Sequence, residues 1–390
     1  MIMQNLKSNI NLYYVFSFIG SIQFYGPIFA LFFQSFSLSQ TQILSFLSIY
    51  AISTILFEIP TGIFSDYIGR KKTLLISSIL LSLCFFIFAF GNNYWYFAVA
   101  YLIMGLSGAF SSGTDQSFLY DTLLNLKKEN KFKKILGKSA FIENLAVIIS
   151  MALGGLLFSI NHKFPYLLTA IIASLNIFIV LFFKEPPRIK SNKSLLKHTL
   201  LSFKIFHKNK KLLMLSLFSV ITISAVVISF FLIQQYYKFI GIPIALIGLV
   251  IVGSKIIESL SSKYAYVIEK KLKFKISIIL IALFIVLGYG LMSFYSFYWA
   301  FIFAYLLNIA LGFSGPVFSD YINKHISSDK RSTILSIKNQ LRNIVFLLIP
   351  PLIGGVADKS LQLSFTVMAI SAALLYMLII YYLIKLNNKD

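Results

Sequence analysis

Twelve apolar runs, each about the length needed to cross roughly 30 Å of hydrocarbon, limit this chain more than any other feature. They cover residues 12–33, 41–65, 73–90, 94–122, 137–159, 165–183, 212–237, 244–262, 274–294, 297–322, 332–357 and 363–384. In lipid a spanning segment must satisfy its own backbone groups, so each run is predicted to be an α-helix. Of the 390 residues 58% are hydrophobic and 12% charged, against about 25% charged in a soluble domain. Too little polar surface exists to cover such a core, which excludes a soluble enzyme, a disordered tail and a disulfide scaffold. The one cysteine, Cys84, falls inside an apolar run and has no partner for an internal disulfide. The first run is too long for a cleavable leader and no small-residue site follows it, so no cleaved signal is expected.

A formal net charge of +22 would suggest nucleic acid in a soluble protein. Its placement argues otherwise. Twenty-nine of the 35 Lys and Arg residues fall in alternate loops and at the two ends of the chain. The opposite loops hold only Lys163, Lys238 and Lys359, and Lys255, Lys338 and Arg342 fall within runs. Basic loops stay inside, so both termini are predicted to be cytoplasmic and nucleic acid is not an expected partner. The longest polar interruption, 184–211, divides the chain into two six-helix halves, 1–183 and 212–390. Its lysines gather near one helical face and Leu196, Leu200 and Phe203 on another. Either an amphipathic helix lying on an anionic inner leaflet or a solvated linker fits this pattern. The expected fold class is an all-α membrane protein of twelve transmembrane helices in two pseudo-symmetric six-helix bundles.

The halves carry matching features roughly 200 residues apart. Gly154-Gly155 pairs with Gly354-Gly355, and Asp121 with Asp320. The loop from Gly62 to Lys72 has a worn counterpart from Ala265 to Lys275, which sets Leu272 opposite Gly69. Parallel repeats joined by a cytoplasmic linker are the layout of one large transporter class. The loop itself, with Gly62, Asp66, Gly69, Arg70 and Lys71 in place, resembles the signature loop between helices two and three of the major facilitator superfamily. Gly62 permits close helix contact, Gly69 suits a tight turn, and the basic triplet pins the loop at the inner surface. The resemblance implies a conformational latch in which Arg70 pairs with Asp121 and Asp66 meets the eleventh helix, with Glu58 close by. An arginine that the drug-exporter pattern places early in the fourth helix is missing from this sequence.

Ionisable groups inside a span cost about 2.5–3.5 kcal/mol on insertion scales, so each is a functional candidate. Arg342 lies deepest, with Lys338 one turn shallower on the same face. Lys255 and Glu258 share a face at a spacing suited to an ion pair. Asp115 and Glu143 complete the set, each readable also as a structural pair between helices. Gln23, Tyr25 and Asn308 add polar groups within runs. The four histidines fall in loops or at run ends, so a transported proton would ride on a carboxylate, Asp115, Glu143 or Glu258. No phosphate-cradling loop, metal cluster or catalytic set is legible, so neither enzymatic activity nor a cofactor is expected.

These readings point to a monomeric secondary transporter that moves a small solute by alternating access, with proton-coupled efflux as the first expectation. Proton-coupled uptake of an organic anion at Arg342 is the alternative within the class. A membrane sensor or scaffold without transport is the alternative outside it. Richness in Ile, Lys, Asn and Phe matches an AT-rich bacterial genome, so the expected location is a bacterial cytoplasmic membrane.

Overall fold

A computed structural model describes residues 2–187, 209–324 and 331–387 of the chain. Most of the 184–211 segment, including the stretch read as an amphipathic helix, lies outside the described residues, as does the side chain of Asp66. The described backbone is predominantly helical, and the described residues contain no strand. The helices are α1 Ile2–Gly20, α2 Phe29–Gln34, α3 Gln40–Ile68, α4 Arg70–Phe90, α5 Tyr94–Ser111, α6 Thr114–Asn125, α7 Phe132–Ile160 and α8 Phe164–Phe182. They continue as α9 Lys210–Phe239, α10 Ile244–Phe294, α11 Phe301–Lys324, α12 Arg331–Ala357 and α13 Leu361–Asn387.

Three places depart from twelve plain rods. The first span divides: α1 ends at Gly20, residues 21–28 run as successive turns, and α2 resumes at Phe29. Gly26-Pro27 explains the break, since Pro27 brings no N–H to a helix ladder. Buried backbone still needs partners. Gly26 donates to the Gln23 carbonyl, Ile28 to the Tyr25 carbonyl, and the Gln23 N–H to Ser150 Oγ at 3.0 Å. Gly154 of α7 has no Cβ where Phe24 and Pro27 press against it, so the irregular segment can seat. The fourth span also divides, at Ser112 and Gly113, whose φ of 71° is left-handed and easy only for glycine. The third departure is the long α10, which is two spans joined at Lys273, where φ 60° and ψ 168° leave the helical region.

The chain forms two compact units. The first comprises Met1–Leu38, Phe46–Asn192 and Ile244–Leu249; the second comprises Ser39–Ser45, Lys193–Pro243 and Val250–Asp390. In the first, α4 packs on α5 and α8, and α1 on α7 and α8. Tyr13, Leu74, Phe118, Leu123, Val180 and Phe183 form an apolar core. Small residues let the helices approach and exchange hydroxyl bonds, such as Ser77 to the Ser107 carbonyl at 3.0 Å and Ser82 to Ser174 at 2.6 Å. In the second unit α9 is the central post, packed by α11, α12 and α13. Thr222 and Tyr376 share a bond of 2.9 Å, and Tyr289 donates to the Ala225 carbonyl at 2.7 Å.

Candidate functional site

Four groups of polar side chains stand out, each within one unit. The first surrounds the signature loop. Gly69 takes φ 106°, ψ 155° and ends α3, so α4 starts directly with Arg70. The opening N–H groups of a helix have no intrahelical acceptor. Here Glu185, just beyond α8, accepts both: Arg70 N–H at 2.8 Å and Lys71 N–H at 2.7 Å. The φ of 106° favours glycine at this position, and a Cβ there would lie 2.8 Å from Glu185 Oε1, so the carboxylate would have to move off the α4 terminus. Arg70 Nε lies 3.8 Å from Asp121 Oδ2, and Arg70 Nη1 donates to Ser65 at 3.0 Å. Lys71 reaches the Leu181 carbonyl at 2.7 Å. Among the described residues nothing stands within 4 Å of a Cβ placed on Gly62, so the close helix contact expected there is not seen. Glu58 lies two turns before Ser65 on the same helix, α3. Glu185 escaped sequence reading because its partners are distant backbone groups. In the second unit the counterpart of Gly69 is Lys273, one residue beyond the Leu272 that sequence matching set there. Non-glycine residues rarely take this backbone region.

The second group pairs Asp115 with Glu143. The break at Gly113 places Asp115 in the first turn of α6, where its carboxylate accepts the Gln116 N–H. The two carboxylates and the buried Tyr13 are close enough to interact electrostatically. A hydroxyl chain joins Tyr13 to Glu143: Tyr13 bonds Ser17, Ser17 lies 2.7 Å from Ser139, and Ser139 donates to Glu143 at 3.0 Å. Among the described residues neither carboxylate makes an ion pair. Tyr13, Ser17 and Ser139 were missed because one hydroxyl in a helix carries no sequence signal.

The third group lies in the second unit. Lys255 and Glu258 form a direct pair at 2.7 Å, their side chains 34% and 24% exposed. On α12 Lys338 and Arg342 are both part-buried, and the guanidinium lies 5.8 Å from the Phe346 ring centre. Asn308 donates to the Ala304 carbonyl of its own helix at 3.1 Å.

The fourth group follows α12. Asp358 accepts from the Gln40 N–H, from the Thr41 N–H at 3.1 Å and from the Thr41 hydroxyl at 2.6 Å. Burial alone would raise its carboxyl, but these bonds outweigh it and hold the group below the ordinary carboxylate range. Gln23 and Tyr25 fall in the broken first span. Gln23 is fixed there through its backbone, while the Tyr25 ring stacks on Tyr166 at 5.4 Å and meets Phe85 at 5.0 Å. Among the described residues no cluster of three or more His, Cys, Asp or Glu side chains is placed to hold a metal ion.

Residues 12–350 match the family model described as Major Facilitator Superfamily. A tetracycline resistance protein, class H, from Pasteurella multocida is 23% identical over 352 residues, 86% of this chain and 84% of that protein. Among solved structures, the nucleoside transporter NupG superposes with a TM-score of 0.78 at 16% identity, covering 95% of this chain and 98% of that one. A bacterial homologue of the human lysosomal transporter Spinster, in an inward-facing and unoccupied conformation, superposes with a TM-score of 0.73 at 13% identity, covering 98% of each chain.

Proposed function

Because the chain belongs to the major facilitator superfamily, a family of transporters and not enzymes, we propose that it couples solute movement to protons through Asp115 and Glu143. The carboxylate pair with its hydroxyl chain is the observation that carries this reading. A carboxylate without a cation partner takes up a proton more readily when a second carboxylate lies close enough to repel its charge, and Ser139 and Ser17 link Glu143 to Tyr13 by a path of hydrogen bonds. The glycine break beneath Asp115 puts the pair where the helix can bend. Solute then crosses by alternating access of two six-helix repeats, 1–183 and 212–390, in a bacterial cytoplasmic membrane with both termini inside. The signature loop around Gly69, clamped by Glu185, acts as the conformational latch.

Export is the favoured direction, and a relative named for tetracycline resistance fits it. The test uses proteoliposomes with an imposed pH gradient and tetracycline as the probe. Asp115→Asn and Glu143→Gln should each abolish gradient-driven flux while sparing exchange of the probe at equal pH. Equal loss of both activities would exclude that residue as the proton carrier. The second reading, proton-coupled uptake of an anion, is favoured by Lys338 and Arg342 on α12 and predicts flux in the opposite direction.

A further inference from the structure

Lys338 and Arg342 occupy one flank of α12, between its buried face (Asn343, Phe346, Pro350 and Ile353) and its exposed face (Ile344, Leu348 and Leu352). They are one turn apart, so two like charges repel across a part-buried strip of low dielectric. Among the described residues neither has a carboxylate within ion-pair distance. Three acids of the same unit have partners of their own: Glu258 with Lys255, Glu269 with the Tyr321 hydroxyl at 2.6 Å, and Asp358 with Gln40 and Thr41. Arg342 Nε is fully buried and has no acceptor. A buried donor without an acceptor is costly, and a guanidinium costs more than a neutral group. The Phe346 ring beside the guanidinium limits how far it can swing to find one.

We propose that this strip is the solute's anion site. The transported molecule carries a carboxylate or phosphate group, which takes the planar fork of Arg342 in a bidentate pair, while the Lys338 ammonium adds a point charge. This inference rests on the transport reading and names its substrate class as an organic anion. It uses neither Asp115 nor Glu143, so the proton assignment and the anion assignment can fail separately.

The experiment measures thermal unfolding of the purified full-length protein at constant ionic strength with three probes: benzoate, its neutral counterpart benzamide, and inorganic phosphate. A ligand that binds only the folded state raises the midpoint by mass action. Benzoate, phosphate or both should raise it and benzamide should not; the stronger of the two anions tells whether the group is carboxylate or phosphate. Arg342→Gln should weaken apparent anion affinity about tenfold or more. Lys338→Gln should weaken it less, and Arg342→Lys, which keeps the charge but loses the fork, should fall between wild type and Arg342→Gln. If Arg342→Gln does not fold, Arg342→Lys and Lys338→Gln carry the comparison. An equal shift with benzamide, no shift with any anion, or a wild-type shift in these variants overturns the proposal. Exchange of labelled benzoate in wild-type and Asp115→Asn proteoliposomes separates the two readings: binding without exchange in the wild type overturns the strip as the solute's site, whereas exchange retained in both leaves the strip standing whatever becomes of the proton assignment.

Discussion

Replacing Glu185 with alanine strips two acceptors from the first turn of α4, the helix that carries the buried Cys84. The bonds are charge-assisted, 2.7 and 2.8 Å long, and sit where the helix dipole favours an anion. Glu185 is exposed, so water can replace part of what is lost. Taking about 0.5–1 kcal/mol per bond, the cost is about 1–2 kcal/mol, a factor of roughly 5–30 in an opening equilibrium. Cys84 is the only cysteine in the chain and its relative exposure is 0%. Its labelling by a fluorogenic maleimide therefore reports opening of this helix. When reclosing outpaces labelling, the rate follows the open population. Glu185→Ala should label about 5–30 times faster than wild type. Glu185→Gln, which keeps one carbonyl acceptor, should lie between. Gly69→Ala forces a Cβ into Glu185 as well as into a disfavoured backbone region, so its cost should overlap with that of Glu185→Ala and the double variant should fall short of additivity. A Glu185→Ala labelling rate within twofold of wild type would refute the assignment of Glu185 as the cap of α4.

Lys273→Gly should stabilise the second unit: relief of about 1–3 kcal/mol of backbone strain exceeds the roughly 0.5–1 kcal/mol of added glycine entropy, and a higher unfolding midpoint would show it. Asp358 has a lowered folded-state pKa, so its contribution is fully present above the unfolded value near 3.9 and is lost as pH falls through the lower folded value. Unfolding midpoints of wild type and Asp358→Asn should therefore differ most at neutral pH and converge in strong acid. Glu258→Gln leaves the Lys255 ammonium without its partner inside a span, where an unpaired charge costs about 2.5–3.5 kcal/mol, so the unfolding midpoint should fall; an unchanged midpoint would show that water reaches the pair.

The sequence by itself determined the class. Twelve apolar runs and a one-sided basic charge leave helices crossing a membrane as the sole way to satisfy the backbone, and the loop from Gly62 to Lys72 carried the family resemblance. Arg70 and Asp121, named from that loop, lie 3.8 Å apart. Lys255 and Glu258 were readable because helical spacing is local and fixed. Tertiary structure decided what depends on distant neighbours. Where the first span breaks follows from Gly26-Pro27 together with Ser150 and Gly154 of another helix. Glu185, Ser139 and Asp358 gained their roles from backbone or hydroxyl groups far along the chain, and a single polar residue does not announce its partner. The left-handed turn at Lys273 lay hidden too, because a lysine gives no sign of a conformation that only its fold-mates impose. Local periodicity writes secondary structure into the chain, whereas a site requires side chains from several helices to meet, which only packing brings about.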